Sequence, residues 1–407
     1  MRHGSMVDKA QALSPALVRW RREIHARPEL SFQEVQTARL VAATLRDIGD
    51  IDLQTGIGTT GVIGTLGSGM GPTIALRADM DGLPITENTA HDFRSRHQNV
   101  MHACGHDAHT AILLGVAHVL AEAFRQEGLQ GTVRFLFQSA EEAPDEHGLT
   151  GARYMIEAGA LDSVGAVLAL HVSPWHVVGE IQVHDGYSMA SVDTFRATIS
   201  GAGGHAAYPH LGTDPIWMLG PVLQAVYGIV ARRVSPLEPV VVSIGQIHAG
   251  AADNVIPTTV HLAGTLRSYN PDVRELLIAE LDKAFAVTAA LGGGYTLHVG
   301  RGEPALRNDP LVNGWIVQAA RHLFPGLTIE RAPFGLAGED FGYMTRIVPG
   351  AMFLLGCGRR DGIERSLHTP EFDLDEGCLP LGVAILAETA RRYLMGEVRQ
   401  TPDTAGH

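Results

Sequence analysis

A chain of 407 residues is too long for one ordinary hydrophobic core and implies two or three domains, while 45% apolar and 18% charged residues mark a folded chain. A formal net charge of -13, with no lysine- or arginine-rich block, argues against nucleic acid and membrane surfaces as partners, since both need a basic footprint. No apolar stretch approaches bilayer length, no signal-type core opens the chain, and the cysteines are odd in number and widely spaced; the sequence reads as cytoplasmic, without a disulfide framework.

In chain order, "SPALVRWRREIHARPE" begins with a Ser-Pro helix start, and "SFQEVQTARLVAATLRDIG" repeats apolar residues at helical spacing up to Gly49. The glycine-rich "GTLGSGMG" precedes a strand, "PTIALRAD", where a phosphate-binding loop needs a helix. It therefore reads as a hairpin turn and not a dinucleotide site. "HDAHTAILLGVAHVLAEAFRQEG" sets Ile112, Leu113, Val116, Val119, Leu120 and Phe124 on one helical face, and the strands "TVRFLFQ" and "AVLALHV" follow, separated by a helix in "GARYMIEAG". Such alternation predicts an α/β domain with a mostly parallel sheet covered on both faces.

Between about residues 190 and 299 the order becomes β-α-β-β-α-β, the split arrangement of a ferredoxin-like α+β domain. Its parts are "SVDTFRATISG", "DPIWMLGPVLQAVYGIVARR", "EPVVVSIGQIHAG", "NVIPTTVHLAGTLRSY", "PDVRELLIAELDKAFAVTAALGG" and "GYTLHVG". The earlier character then returns with the helix "LVNGWIVQAARHLF", the strand "AMFLLGCG" and the helix "LPLGVAILAETARRYLM". The expected organisation is a discontinuous α/β domain, residues 1–189 and 300–407, interrupted by an inserted domain, residues 190–299.

In open α/β sheets ligands gather beyond the carboxyl ends of the strands. There "TIALRAD" ends at Asp79-Met80-Asp81, "TVRFLFQ" runs into Glu141-Glu142, and "AVLAL" runs into His171; "MHACGHDAHT" adds Cys104 and His106. In extended chain, residues two apart point the same way, so Cys104 and His106 can converge while Gly105 admits close backbone approach. Both suit zinc or a similar ion, although Cys104 could equally be a small buried hydrophobe and the histidines caps of the following helix. Adjacent residues at a strand end face opposite sides, so one glutamate of the doublet can bind metal while its neighbour takes a proton from the attacking water.

Taken singly, each of these residues has a plainer reading. The doublet would be a solvated loop, His171 a core histidine, His368 in "SLHTPEFDLDE" a cap or surface residue, and His205 a histidine in a glycine-rich turn. Asp79 and Asp81 would be turn formers, or carboxylates orienting a ligand from behind. Asn254 and Arg267 would be an exposed strand-end pair, and His25 structural. The coincidence of Cys104, His106, Glu141, Glu142 and His171 on one predicted face favours a metal site.

The segments "REIHARPELSFQE", "RADMDGLP", "MHACGHDAHT", "FQSAEE", "LALHVSP", "GGHAAYPH", "NVIP", "GTLRSY", "AGEDF" and "LHTPEF" resemble, in this order, the motifs of the metal-dependent amidohydrolases that include hippurate hydrolase, N-acyl-amino-acid aminoacylases and plant auxin-conjugate hydrolases. The resemblance covers nearly the whole chain. It implies two divalent ions per subunit, of zinc, manganese, cobalt or nickel, held by Cys104, His106, Glu142, His171 and His368, with Glu141 as general base. It further implies that the inserted domain is a lid and dimerisation domain, giving a homodimer or larger homo-oligomer. His205 would polarise the scissile carbonyl, in relatives often that of a neighbouring subunit's site. Asn254 and Arg267 would bind substrate, Arg267 through a bidentate pair with a carboxylate. The sequence departs from many relatives at Ser139, where they have proline, and in a longer run after the doublet containing Asp145, Glu146 and His147, which bears on the pocket rim.

The expected activity is therefore hydrolysis of the amide bond of a small N-acyl or N-aroyl amino acid, hippurate-like or N-acetylated. Two rivals stand beside it: an amidase using Cys104 as thiol nucleophile, and a non-catalytic binder of acyl amino acids on the same scaffold.

Overall fold

Apolar runs of strand length form the centre of an eight-stranded sheet whose order is Ile51–Ile57, Gly61–Gly67, Thr132–Gln138, Thr73–Asp79, Ala166–Val177, Gly350–Gly358, Glu180–Val183, Thr328–Arg331. The computed structural model describes residues 5–67 and 69–398. Among these, one compact unit comprises those within Met1–Gly186, Arg307–Pro333 and Tyr343–His407, and a second those within Tyr187–Leu306 and Phe334–Gly342.

The sheet belongs to the first unit. Its centre, from Thr132–Gln138 to Gly350–Gly358, is wholly parallel, and these strands are buried almost end to end, as a sheet covered on both faces requires. Antiparallel strands extend it on either side. Of the outermost pair, Ile51–Ile57 is largely exposed and Gly61–Gly67 is buried but broken up by glycines, which is why no apolar run announced it.

"GTLGSGMG" is not a hairpin turn. Thr132–Gln138 lies between Gly61–Gly67 and Thr73–Asp79, antiparallel to the first and parallel to the second. Local turn chemistry reports that the chain reverses or bends; it does not report which distant strand fills the gap. The helix His106–Glu127 also revises the reading of apolar length. By length and composition it could cross a membrane, yet 83% of its most apolar window is buried inside the fold, where Ile112, Val116 and Leu120 join the main core.

The second unit carries a four-stranded antiparallel sheet in the order Val240–Ala249, Thr259–Ser268, Ser191–Ser200, Gly294–Arg301. Helices Pro215–Arg232 and Pro271–Ala290 pack on it through Met218, Val226, Leu277 and Phe285 against Phe195 and Leu262. Each helix begins with proline at a position whose N–H needs no partner, capped by Asp214 or Asn270. This is the ferredoxin-like β-α-β-β-α-β unit. The single strand expected in "NVIPTTVHLAGTLRSY" is broken at Pro257, which has no N–H for a ladder: Val255–Ile256 pairs with Gly204–His205, and Thr259–Ser268 joins the main sheet.

Candidate metal centre

Cys104 and His106 converge, but not through extended chain. Gly105 has φ 91°, ψ 15° and caps the helix that starts at His106. The left-handed turn swings the His106 ring back towards the Cys104 thiol, so that Cys104, His106 and His171 each offer a ligand atom within 4.8 Å of the others. Only glycine fits, because a Cβ there would lie 2.3 Å from Val172 Cγ2. Gly105→Ala should therefore destabilise the fold by about 3 kcal/mol, combining left-handed strain with a clash in a packed core, as read by denaturant unfolding.

Two further links fix the ligands. Leu83 and Met101 exchange backbone hydrogen bonds of 2.8 and 3.0 Å, and the His368 N–H donates to Ala103 O at 2.8 Å. His368, in a turn with φ 59°, is thereby brought from far along the chain to the Cys104 loop. Its Nε2 lies 3.4 Å from Cys104 Sγ and 3.3 Å from Glu142 Oε1, while His171 Nε2 lies 3.3 Å from the same sulfur. Cys104, Glu142 and His368 thus form a second close group sharing the thiol, and His106, Glu141 and Glu142 a third.

Behind these side chains stands a layer of carboxylates. His106 Nδ1 lies 3.1 Å from Asp81 Oδ1, which leaves its Nε2 directed forward, buried and without a hydrogen bond. Asp81 also accepts the Glu142 N–H at 3.0 Å and the Ser31 hydroxyl at 2.7 Å. His109 is occupied at both nitrogens: Nδ1 bonds Asp79 at 2.6 Å and Nε2 accepts the Val172 N–H at 2.9 Å. Although Asp79, His106 and His109 also lie close enough to hold an ion, either nitrogen of His109 would have to give up a bond it already makes, Nδ1 to Asp79 or Nε2 to Val172. We read His109 and Asp79 as a brace between the helix and the strand carrying His171. The sequence offered His109 no distinction from its neighbours in "MHACGHDAHT".

The electrostatics favour a cation. Burial works against a charge on His106, yet the Asp79, Asp81 and Glu142 carboxylates outweigh it and raise the imidazole pKa to about 10. His171 goes the other way, pushed down by burial and by His109, and is held neutral, with Nδ1 bonded to Val172 O at 2.8 Å. A neutral imidazole with Nδ1 so engaged presents its Nε2 lone pair to the site. Burial, then Glu142 and Glu141, pushes the Cys104 thiol well above its usual range, so that ionising it needs a positive charge close by.

Glu141 and Glu142 do not stand on the strand, which ends at Gln138. They follow Ala140, whose φ of 48° turns the chain sharply, so the separation of the two carboxylates comes from this turn and not from strand alternation. The added Asp145, Glu146 and His147 make a self-contained bend, in which Asp145 accepts the N–H groups of His147 and Leu149 and the Tyr154 hydroxyl. His25 is buried against Asp107 and Glu87, in a network that includes Arg21, and supports the fold.

In the second unit His205 is exposed, and its Nδ1 accepts the Ala207 N–H at 3.1 Å, which assigns the proton to Nε2. Asn254 O accepts the Ala206 N–H at 3.1 Å, holding these two segments side by side. Arg267 donates to Leu336 O at 3.0 Å.

A model of the peptidase family M20/M25/M40 matches residues 75–392. The chain belongs to this family. Membership makes it a hydrolase, and its relatives span nearly its whole length. It is 39% identical over 387 residues to an N-acetyl-L-cysteine deacetylase of Bacillus subtilis, covering 94% of this chain and 89% of that one. It is 37% identical over 382 residues to an IAA-amino acid hydrolase of Arabidopsis thaliana, covering 92% and 86%. The Bacillus subtilis YXEP protein, a dinuclear metal binding peptidase of family M20, superposes with a TM-score of 0.82 at 34% identity, covering 96% of this chain and all of the other.

Proposed function

We propose that this M20 hydrolase cleaves the amide bond of N-acyl amino acids, releasing a carboxylic acid and a free amino acid, with two divalent ions held by Cys104, His106, Glu142, His171 and His368. The observation that carries the reading is the pair of close ligand groups sharing the Cys104 thiol, with Glu141 grouped beside His106 and Glu142. The donor set of one sulfur, three imidazole nitrogens and a carboxylate fits zinc, manganese, cobalt or nickel, and the buried, unbonded His106 Nε2 fits a ligand role. The relatives named for N-acetyl-L-cysteine and IAA-amino acids support the substrate class.

When bound, such ions supply Lewis acidity towards a carbonyl and a water molecule. Glu141 takes the proton of the attacking water and returns it to the leaving nitrogen. His205, protonated at Nε2, donates a hydrogen bond to the carbonyl oxygen as it gains charge. Asn254 and Arg267 hold the amino acid part. We assign residues 190–299 the role of lid and dimerisation domain, and place the enzyme in the cytoplasm, where its free cysteines would stay reduced.

The test is a panel of hippurate, N-acetyl and long-chain N-acyl amino acids, assayed with each metal. The expected result is hydrolysis of at least one class, lost on chelation and restored by a divalent ion; binding without turnover across the panel would revive the non-catalytic alternative. Arg267→Ala should raise KM by about 10- to 100-fold with kcat little changed, the signature of a lost charge-assisted contact made equally before and during reaction.

The electrostatics of the site speak against the thiol-nucleophile alternative. A nucleophilic cysteine needs a depressed pKa, whereas burial and two carboxylates push that of Cys104 upward. Activity that survives exhaustive chelation and is lost to a thiol alkylator would reverse this judgement.

A further inference from the structure

We infer that Glu34 is a positioning residue for the catalytic doublet, its carboxylate fixing the main chain of the turn from which Glu141 and Glu142 project. This rests on the roles proposed for those two glutamates. Glu34 is wholly buried, and its Oε1 accepts the Ala140 N–H at 2.7 Å and the Phe32 N–H at 3.0 Å, while Oε2 accepts the Thr60 hydroxyl at 2.5 Å. Ala140 is the left-handed residue immediately before the doublet, and its carbonyl accepts the Gly151 N–H at 2.9 Å. The turn is thus held at Ala140 N by Glu34 and at Glu142 N by Asp81.

The position of Glu34 in its helix makes this use specific. It stands at the N-cap of Val35–Ile48, where Ser, Thr, Asp or Asn would ordinarily bond the first backbone N–H groups, and its own side chain makes no such bond. Glu29 performs that task, accepting from Gln36 N at 2.8 Å and Thr37 N at 3.1 Å. Glu34 is left to reach across to the doublet, and Ser31 from the same loop reaches Asp81. Burial, and then the charge of Asp81, raises the Glu34 pKa to about 7, against the opposing bond from Thr60. A buried carboxyl so disfavoured as an anion persists because backbone donors are aimed at it. Its hydrogen-bonding shape, more than its charge, is what the turn uses.

Glu34→Ala, Glu34→Gln, Thr60→Val and Glu142→Ala separate the possibilities. Each protein is stripped and its manganese affinity measured by competition with a chromophoric chelator, alongside kcat, KM and the thermal midpoint. Glu34→Ala should weaken manganese binding at least about 10-fold and lower kcat about 10- to 100-fold with KM within about threefold, the scale of a lost partner behind a metal ligand. Glu34→Gln should restore both to within about threefold, because its amide oxygen accepts the same N–H groups and its NH₂ can donate to Thr60. Thr60→Val should fall between them, and carries the test if Glu34→Ala does not fold. Unchanged affinity and kcat in Glu34→Ala, or in Thr60→Val where it stands alone, overturns the inference, as does a Glu34→Gln protein as impaired as Glu34→Ala. Wild-type manganese affinity in Glu142→Ala would instead refute the ligand set; loss there, with affinity kept in Glu34→Ala, refutes the role of Glu34 alone.

Discussion

Glu141→Ala should lower kcat by about 10³-fold while the protein keeps its bound metal and its thermal midpoint. The carboxylate lies close to His106 and Glu142, yet the ligand groups that share Cys104 are complete without it. On the proposed mechanism its removal takes away the acceptor for the proton of water and the donor to the leaving nitrogen, and leaves the other candidate ligand atoms in place. Turnover measured under metal saturation, with metal content determined on the same sample, distinguishes this from a binding defect. Near-normal turnover would show that another group acts as base.

Glu142→Ala should fail in the other direction, losing metal first and activity with it. Its Oε1 lies 3.3 Å from His368 Nε2 and 3.8 Å from His106 Nε2, and it forms a close group with Cys104 as well. The substitution removes a negative charge and an oxygen from a partly buried site, and should reduce affinity by more than about 100-fold, beyond the loss typical of a partner behind the ligands. Titration of the stripped protein with zinc or manganese reads this directly. Activity should return only at high metal concentration, if at all; unchanged affinity would remove Glu142 from the ligand set. The contrast between adjacent glutamates is the distinctive expectation, because a general loss of structure would affect both variants alike.

Much of this arrangement was legible in the sequence, and what was not has a physical cause. The central strands announced themselves as apolar runs because they are buried nearly end to end, and the long helices as a helical period because they bury one face or more. The pairing of Gly61–Gly67 did not, since its partner lies more than sixty residues further on and no local pattern encodes the choice. The residues offered as ligands do come together, but two of the reasons given for their geometry were wrong. Cys104 and His106 meet through the left-handed Gly105, packed against Val172, and the doublet diverges at Ala140, whose turn is held by hydrogen bonds to remote residues. His109 and Glu34 could not be singled out from residue type, because what distinguishes them is the backbone N–H that each accepts from a remote segment.

The most direct measurement is anomalous diffraction from crystals grown with excess manganese or zinc. The account predicts two peaks per chain, both bounded by Cys104, His106, Glu142, His171 and His368, with Glu141 adjacent and unligated. A single peak elsewhere, or ions coordinated without Cys104 and Glu142, would contradict it.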